Sequence, residues 1–409
     1  MKHHGRLGPL AERNFRFVFA SETISALGDG VSTIALAFAV LQISGSATSL
    51  GLVIAARQAA AAAITLAAGV WADRLPRHLV LVGVAAIQCS MQGVSAALLL
   101  TGHASVAALA GLALVYGLAD GFVIPAGQGL IPLIVSAARL QQANALIGLS
   151  RSMLGIAGPA LGGVLVALGS PGSALAVDAG SFAVAAVLLA RLSIAPRLDV
   201  AAPERFVAEL RHGWNEFRRQ TWIWTTIVFF GIGNFTGATL FVLGPLVAKR
   251  DLGGAPAWAT IVSGFGAGAI VGGLIALRIR PRRPLLASCA AAVPYGAQTL
   301  GIGLGLPLPV LVGIAVVAGV GIAIHLALWF TVFQQQVPEE ARSRVSSYDS
   351  LGSFVLIPLG SALAGPVASL VGVSATLVGS GIISLACIAI VLAQPSVWAI
   401  RGDREPVPA

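Results

Sequence analysis

The stretch "GVWADRLPRH", residues Gly69–His78, sets one acidic residue and two arginines between two long apolar segments. Elsewhere charges are scarce: residues 78–119, 284–338 and 350–400 contain no Asp, Glu, Lys or Arg. A helix that crosses a membrane needs about 20 apolar residues, so each of these segments is long enough for two such helices. The charged stretch is therefore predicted to be a turn between two membrane-spanning helices.

The composition indicates the same class of protein. Only 10% of the residues are charged and 57% are hydrophobic, whereas soluble domains have about 25% charged residues. The apolar segments are continuous rather than alternating, which excludes a β-barrel. The sequence thus predicts an all-α polytopic membrane protein in the lipid bilayer. The net charge of +9 would suggest a nucleic-acid partner in a soluble protein, but here its placement indicates membrane topology and no nucleic acid.

Hydropathy and turn residues predict twelve membrane spans, which are numbered here from the N-terminus. Their predicted ranges are 15–41, 48–71, 79–101, 105–128, 142–168, 172–191, 222–247, 257–279, 284–304, 308–333, 344–369 and 372–394. Basic residues cluster in the loops on one side, whereas the other side has only Lys249 and Arg250 beside Asp251. Since basic loops stay in the cytoplasm, both termini are expected there, with the protein in the cell membrane.

The longest polar segment, residues 192–221, lies at the middle of the chain. It predicts an amphipathic helix at the cytoplasmic interface, because apolar residues recur at helical spacing, at Phe206, Val207, Leu210, Trp214 and Phe217. This segment divides the chain into an N-terminal six-helix bundle (1–191) and a C-terminal six-helix bundle (222–394). A cytoplasmic tail (395–409) follows.

A second basic turn, "GLIALRIRPRRPL" from Gly273, repeats the pattern of the opening stretch half a chain later. Both turns follow the second span of their half, and both read Gly, four residues, Arg. A weaker similarity links "GPALGG" in span 5 with "IPLGSALAGP" in span 11. Two parallel six-helix repeats are typical of transporters. The alternative is chance similarity between helices rich in small residues.

At two of these places the sequence resembles the major facilitator superfamily. The opening stretch resembles its loop signature G-x-L-A-D-R-x-G-R-[RK] between helices 2 and 3, through Gly69, Asp73, Arg74 and Arg77. "GIAGPALGG" resembles its helix 5 antiporter motif g-x-x-x-G-P-x-x-G-G, through Gly158, Pro159, Gly162 and Gly163, with Gly155 one residue after the position of the first glycine. "NFRFVFASETISALGDG", "PAGQGLIPLIV" and "VDAGSF" are similar to the branch of macrolide and siderophore exporters. The resemblance covers about residues 12–394 and implies the major facilitator fold of two six-helix pseudo-repeats.

The sequence departs from the family pattern in both the loop signature and helix 4. Pro76 stands at the second glycine of the loop signature, and His78 stands at its final base. The helix 4 region reads "LVYGLADGF", with Asp120 in place of the usual arginine. A proton pathway that uses this arginine therefore cannot be transferred to this chain.

In the family, the aspartate of the loop signature helps to latch the two halves. The resemblance implies that Asp73 does so here, with a partner at the start of span 11 near Arg342 and Arg344. The helix N-terminus there also favours an anion. Asp73→Asn is expected to weaken transport without unfolding the protein.

Charged residues inside membrane spans are candidates for function, because each costs about 3 kcal/mol at the bilayer centre. Glu22 and Asp29 lie seven residues apart on span 1 and so share a face, close to Ser25 and Ser32. This polar stripe is predicted to face a water-filled cavity. Because a low dielectric favours the neutral form of a carboxyl group, Asp29 is the first candidate for a proton acceptor and Glu22 the second. The alternative is a structural ion pair.

Two ion pairs are predicted from depth in the membrane. Arg57 on span 2 is expected to reach Asp29 on the neighbouring span. Asp120 on span 4 and Arg151 on span 5 lie at similar depth on consecutive spans, and we expect a second pair there with a structural role.

For two further residues in the spans, a structural role is preferred over a functional one. Asp178 on span 6 is predicted to be a cap or helix-contact residue, and His325 on span 10 a hydrogen-bonded core histidine with a proton relay as the alternative. Cysteine spacing predicts no metal site. The sequence has no HExxH, GxSxG, GxGxxG or GxxxxGK[ST] signature, so we expect neither an enzyme nor a cofactor.

These patterns together predict a monomeric secondary transporter. The first hypothesis is proton-coupled efflux of amphipathic small molecules, such as drugs or natural products, by alternating access. The second is an importer or facilitator of the same fold, and the third is a membrane sensor or scaffold that does not transport. The low charge of the expected cavity favours a hydrophobic or weakly cationic substrate.

Overall fold

The computed structural model describes residues 8–72, 76–136, 139–193, 221–337, 345, 349 and 352–401. These residues form helices and the turns between them, with no strand among them. Twelve of the helices in this part of the chain are long and apolar enough to cross a membrane. The predicted all-α architecture with twelve spans is thus confirmed.

The first six spans follow a short 3-10 turn, Gly8–Ala11. Their helices are Arg13–Ser44, Ala47–Ala72, Arg77–Leu100, Val106–Asp120 with Val123–Ile134, Leu140–Leu168 and Pro171–Ala190. Side-chain oxygens of Ser105 and Ser170 cap the starts of spans 4 and 6, where the first backbone N–H groups lack helical partners. Span 4 is interrupted after Asp120 and continues to Ile134, beyond its predicted end. Span 5 stays helical through Pro159.

The last six spans are Thr221–Val247, Ala255–Ala276, Pro284–Ala291 with Val293–Gly303, Leu308–Gln336, Ile357–Val371 and Val373–Leu392. Helical residues already precede span 11 from Gly352 onward, and a short helix, Pro395–Ala399, follows span 12. Span 7 ends in a π-helical turn, Ala248–Leu252. Span 9 is interrupted at Ala292, where the following Pro294 has no N–H to continue the helix.

The chain divides into two compact units. The first comprises Met1–Ala201 with Gly253–Ser263, and the second comprises Ala202–Leu252 with Gly264–Ala409. The start of span 8 belongs to the first unit because it packs on span 5. There a Cβ atom on Gly163 would lie 2.5 Å from the Cβ of Ala259, and the Ser263 hydroxyl donates to the Ile156 carbonyl at 2.9 Å.

Corresponding pairs of spans pack against each other in both units. Span 5 packs on span 1 as span 11 packs on span 7, span 4 on span 2 as span 10 on span 8, and span 6 on span 3 as span 12 on span 9. Each pair approaches closely at a glycine, for example Gly162 on Val31 in the first unit and Gly360 on Phe235 in the second. Small residues allow this contact, which drives helix association where lipid removes the hydrophobic effect. The packing therefore repeats as the sequence repeat predicts.

Several predicted features lie outside the described residues. These are Asp73, Arg74, nearly all of the predicted amphipathic segment, and the two arginines expected at the start of span 11, Arg342 and Arg344. Of the loop signature, Gly69 lies within the helix of span 2 and Arg77 begins the helix of span 3.

Candidate transport cavity in the first unit

The first unit contains a cavity of about 460 Å³ between spans 1, 3, 4, 5 and 6. Its wall is mainly apolar, and its charged and amide groups belong to Glu22, Asp29, Gln88 and Arg151. Pro159 of the helix 5 motif also lines it. Pockets for small organic ligands have about 300–1,000 Å³ and the same mixture of apolar wall and few polar groups. The two acidic residues of span 1 thus face one shared space, as predicted.

Behind the cavity wall, Arg57 lies between two carboxyl groups. Its Nη2 atom is 3.6 Å from Asp29 Oδ1 and 3.9 Å from Asp120 Oδ2. The Tyr116 hydroxyl donates to Asp29 Oδ1 at 2.6 Å, and the guanidinium lies 4.1 Å from the centre of the same tyrosine ring, within the range of a cation–π contact. The Arg57 side chain is 24% exposed and that of Asp29 is 41% exposed. The carboxyl group therefore reaches the cavity while its cationic partner stays behind it.

Local helix geometry explains this arrangement. Tyr116 and Asp120 lie four residues apart on span 4 and so occupy one face of the helix. Gly117 lies beside them, and a Cβ atom there would overlap the Arg57 carbonyl group, so the glycine lets spans 2 and 4 touch at this level. Gln88 of span 3 donates to Asp120 Oδ1 at 3.3 Å. Side chains of spans 2 and 3 therefore both contact Asp120 on span 4.

The predicted pairing of Asp120 with Arg151 is wrong. Arg151 Nη2 lies 3.1 Å from Glu22 Oε2, and Asp120 faces Arg57 instead. The reason is helix packing, since span 5 packs extensively along span 1 and only slightly against span 4. The predicted pair of Asp29 and Arg57, by contrast, is present in the structure.

Ser32 does not join the cavity stripe. It is buried, and its hydroxyl oxygen accepts a hydrogen bond from Gln92 Nε2 at 3.0 Å. The same amide nitrogen donates to Asp178 Oδ2 at 2.6 Å. Asp178 is fully buried where span 6 meets span 3, so its interpretation as a helix-contact residue is confirmed.

The glycines of the helix 5 motif have different surroundings. A Cβ atom on Gly158 would lie 2.8 Å from the Gly30 Cα atom, and one on Gly162 would lie 2.8 Å from the Val31 carbonyl oxygen. Gly155 lines the cavity, and a Cβ atom there would meet nothing within 4 Å. Two motif glycines therefore bring spans 1 and 5 together beside Asp29.

His325 lies in the second unit and is buried. Its Nδ1 atom is 2.9 Å from the Ser288 hydroxyl and 3.1 Å from the Ser288 carbonyl oxygen, and Phe230 packs edge-on at 4.5 Å. These contacts fit the predicted core histidine.

Sequence reasoning missed three residues of this site, namely Tyr116, Gln88 and Gln92. A signal was present, because Gln88 and Gln92 lie four residues apart on span 3, and Tyr116 precedes Asp120 by the same interval. Polar side chains with helical spacing on apolar helices indicate a buried polar face. Among the described residues, no group of three or more Asp, Glu, His and Cys side chains could hold a metal ion.

The chain belongs to the Major Facilitator Superfamily, whose family model matches residues 18–361. The chain is therefore a multi-pass membrane transporter of small molecules and not an enzyme.

Solved transporters share its fold at low sequence identity. The nucleoside transporter NupG is 13% identical, with 95% of this chain and 99% of that chain covered and a TM-score of 0.71. A bacterial homologue of the human lysosomal transporter Spinster is 17% identical, with 93% and 95% covered and a TM-score of 0.66. A bacterial homologue of the iron transporter ferroportin is 14% identical, with 93% and 99% covered and a TM-score of 0.69. At these identities the likeness shows the fold alone. The comparison with curated proteins found no match.

Proposed function

We propose that the protein is a proton-coupled exporter of amphipathic small molecules, drugs or natural products among them, that works as a monomer in the cell membrane. The observation that carries this proposal is the position of Asp29. It lines the cavity, and its carboxyl group forms an ion pair with Arg57 and accepts a hydrogen bond from Tyr116. A carboxylate in this position can exchange a proton with the cavity. It can also attract a cationic group of a substrate.

The charges around the cavity support a cationic or neutral substrate rather than an anion. Three carboxyl groups, those of Glu22, Asp29 and Asp120, face two guanidinium groups, those of Arg57 and Arg151. With all five groups ionised, the set carries one excess negative charge (two minus three). Either a proton or a cationic substrate balances it, so the two compete for the same carboxyl groups. Competition of this kind couples export of the substrate to entry of the proton.

Proton exchange at Asp29 also changes the ion pairs of Arg57. When Asp29 takes up a proton, its attraction for the guanidinium weakens, since only the ionised carboxyl group forms a strong charge-assisted bond. Asp120 lies 3.9 Å from the same nitrogen atom and becomes the preferred partner. Protonation thereby shifts the balance of contacts between span 2 and its neighbours, spans 1 and 4.

The helix 5 motif supports a movement at the same place. Gly158 and Gly162 give span 5 a smooth surface against span 1. Small side chains allow two helices to slide with few steric barriers. We propose that the cytoplasmic latch through Asp73 accompanies this movement, with both termini in the cytoplasm and with repeats at 1–191 and 222–394.

The experiment is transport of a fluorescent lipophilic cation in everted membrane vesicles, whose lumen corresponds to the outside of the cell. A gradient that is acidic inside should drive the dye into the lumen with the wild-type protein, and Asp29→Asn should reduce this transport to background. Asp251→Asn, at an exposed position beyond span 7, is the matched control and should transport normally. Transport in the opposite direction would indicate an importer. No transport of any compound under either gradient would refute the proposal and favour a sensor or scaffold.

A further inference from the structure

Asp178 is a second intramembrane carboxyl group, and it is closed off from the cavity. Its side chain has no exposed surface. Gln92 Nε2 of span 3 donates to Oδ2 at 2.6 Å, and the Ser181 hydroxyl lies 3.4 Å from Oδ1. The same Gln92 nitrogen donates to the Ser32 hydroxyl of span 1 at 3.0 Å. All these partners are neutral.

The backbone of span 1 covers this carboxyl group at Gly28. A Cβ atom on Gly28 would overlap Asp178 Oδ1 and the Ser181 hydroxyl. Any side chain at that position would force span 1 away from span 6. The glycine therefore allows span 1 to seal the site, one residue before Asp29.

The charged groups near Asp178 do not neutralise it. Those that interact with it electrostatically are Asp29 on span 1, which repels a second negative charge, and Arg57 on span 2. The titratable group that faces it from span 4 is the hydroxyl of Tyr116. Arg57 is within ion-pair distance of Asp29 and Asp120. On the described part of the chain, no ion pair is formed by Asp178, and the facing polar group of span 3 is the neutral amide of Gln92.

We propose that Asp178 is a proton-binding site and carries its proton in the conformation of this structure. An ionised carboxyl group with no counter-ion is very unfavourable in a buried, apolar setting, whereas its neutral acid form keeps the same hydrogen-bond partners. The proton adds to the carboxylate from water and leaves as a proton, with no other bond made or broken. Gln92 orients the carboxyl group, and Ser32 holds the Gln92 amide in place.

The site is coupled to the cavity through span 1. Gly28 covers Asp178, and the next residue, Asp29, faces the cavity. A displacement of span 1 that follows proton exchange at Asp29 would lift the cover from Asp178. This last step rests on the proposed function, whereas proton binding by Asp178 does not.

Infrared spectroscopy of the purified full-length protein tests the proton-binding site without any substrate. The acid form of a carboxyl group has a C=O stretching band that the ionised form lacks. At neutral pH the wild-type protein should show this band, and Asp178→Asn should remove the contribution of one carboxyl group. The control Asp251→Asn, exposed beyond span 7, should leave the band unchanged. If Asp178→Asn does not fold, Asp178→Glu serves instead and should shift the band in frequency.

Two outcomes would overturn the proposal. One is the absence of the acid band from the wild-type protein at neutral pH, and the other is an undiminished band in folded Asp178→Asn. Neither outcome affects the transport proposal, because the dye assay with Asp29→Asn tests that separately. Conversely, full proton-driven transport by Asp29→Asn would refute the proposed function and leave the assignment of Asp178 intact.

Discussion

The two units pack the same pairs of spans together but differ in the charged residues that their spans carry. Both bring their helices together at glycines, as at Gly162 in the first unit and Gly360 in the second. Charged residues enter the membrane interior of the first unit, whereas residues 222–248, 252–277, 284–338 and 350–400 contain none. Helix packing and charge placement are therefore separable in this protein. The packing repeats, and only one copy carries the charges proposed for proton coupling.

Two polar side chains of the second unit, those of His325 and Asn234, have neutral partners, whereas the Trp329 indole donates to the Asp349 carboxyl group at 3.2 Å. His325 pairs with Ser288, and the Asn234 amide donates to the Ser353 carbonyl at 2.8 Å. Aromatic rings surround this region, with Trp222 and Phe230 each 5.9 Å from Trp329. The neutral contacts of His325 and Asn234 hold helices together without a group that must exchange a proton.

The largest effect is expected from Arg57→Gln, which leaves Asp29 and Asp120 facing each other without their cation. Loss of one partner of a fully buried ion pair costs about 3–5 kcal/mol. Because these side chains are partly exposed, we expect the free energy of unfolding to fall by about 2–4 kcal/mol. Chemical denaturation in detergent measures it.

The double variant Arg57→Gln/Asp120→Asn should recover part of this loss, because one unpaired carboxylate is removed. The matched control is Arg151→Gln, whose side chain is 62% exposed and should cost no more than about 1 kcal/mol. Equal losses for Arg57→Gln and Arg151→Gln would contradict the difference in burial that we infer.

The next effect concerns the packing that the two units share. Gly162→Ala and Gly360→Ala would each place a Cβ atom against a backbone carbonyl of the neighbouring span. Overpacking costs about 1–3 kcal/mol, so both should lower the unfolding temperature. Gly155→Ala and Gly379→Ala are the controls, since a Cβ atom meets nothing within 4 Å at either position. If Gly162→Ala lowered the unfolding temperature and Gly360→Ala did not, the packing of the two units would not be equivalent.

A smaller effect is expected from Tyr116→Phe, which keeps the ring beside Arg57 but removes the hydrogen bond to Asp29. Hydrogen bonds to charged groups contribute about 1.5–3 kcal/mol when buried, and partial exposure of this carboxyl group reduces the expected loss of stability to about 1–2 kcal/mol. Tyr295→Phe in the second unit, whose ring lies against Gly237, is the control for removal of a tyrosine hydroxyl. Dye transport should slow in Tyr116→Phe alone, and equal slowing in both variants would argue against a special role for the first unit.

The smallest effect is expected from Ser288→Ala, which removes one neutral partner of His325. The loss of stability should be about 1 kcal/mol. Because His325 is interpreted as a core residue, the dependence of transport on the pH gradient should not change, as measured in the vesicle assay. A loss of proton dependence with full dye binding would instead support the relay alternative.

The sequence predicted most of the fold and part of the candidate site. Apolar length determined the twelve spans, and the spacing of Glu22 and Asp29 placed both on one helix face. Ser32 shows where this reasoning stops, because it lies 60° from Asp29 around the helix at about 100° per residue and faces Gln92 rather than the cavity. Helix periodicity identifies a face only to about this angle, and packing decides which neighbour it meets.

The ion pairs show the same difference between what the sequence determines and what the tertiary structure decides. Sequence alone determined which charged residues lie in the membrane and at what depth, because both follow from position along an apolar helix. Only the tertiary structure decided that Arg57 faces both Asp29 and Asp120 and that Arg151 faces Glu22. The physical reason is that consecutive spans need not be neighbours over their whole length. Span 5 packs along span 1 through its glycines, and the contact between those helices, rather than their order in the chain, sets the partners of each charge.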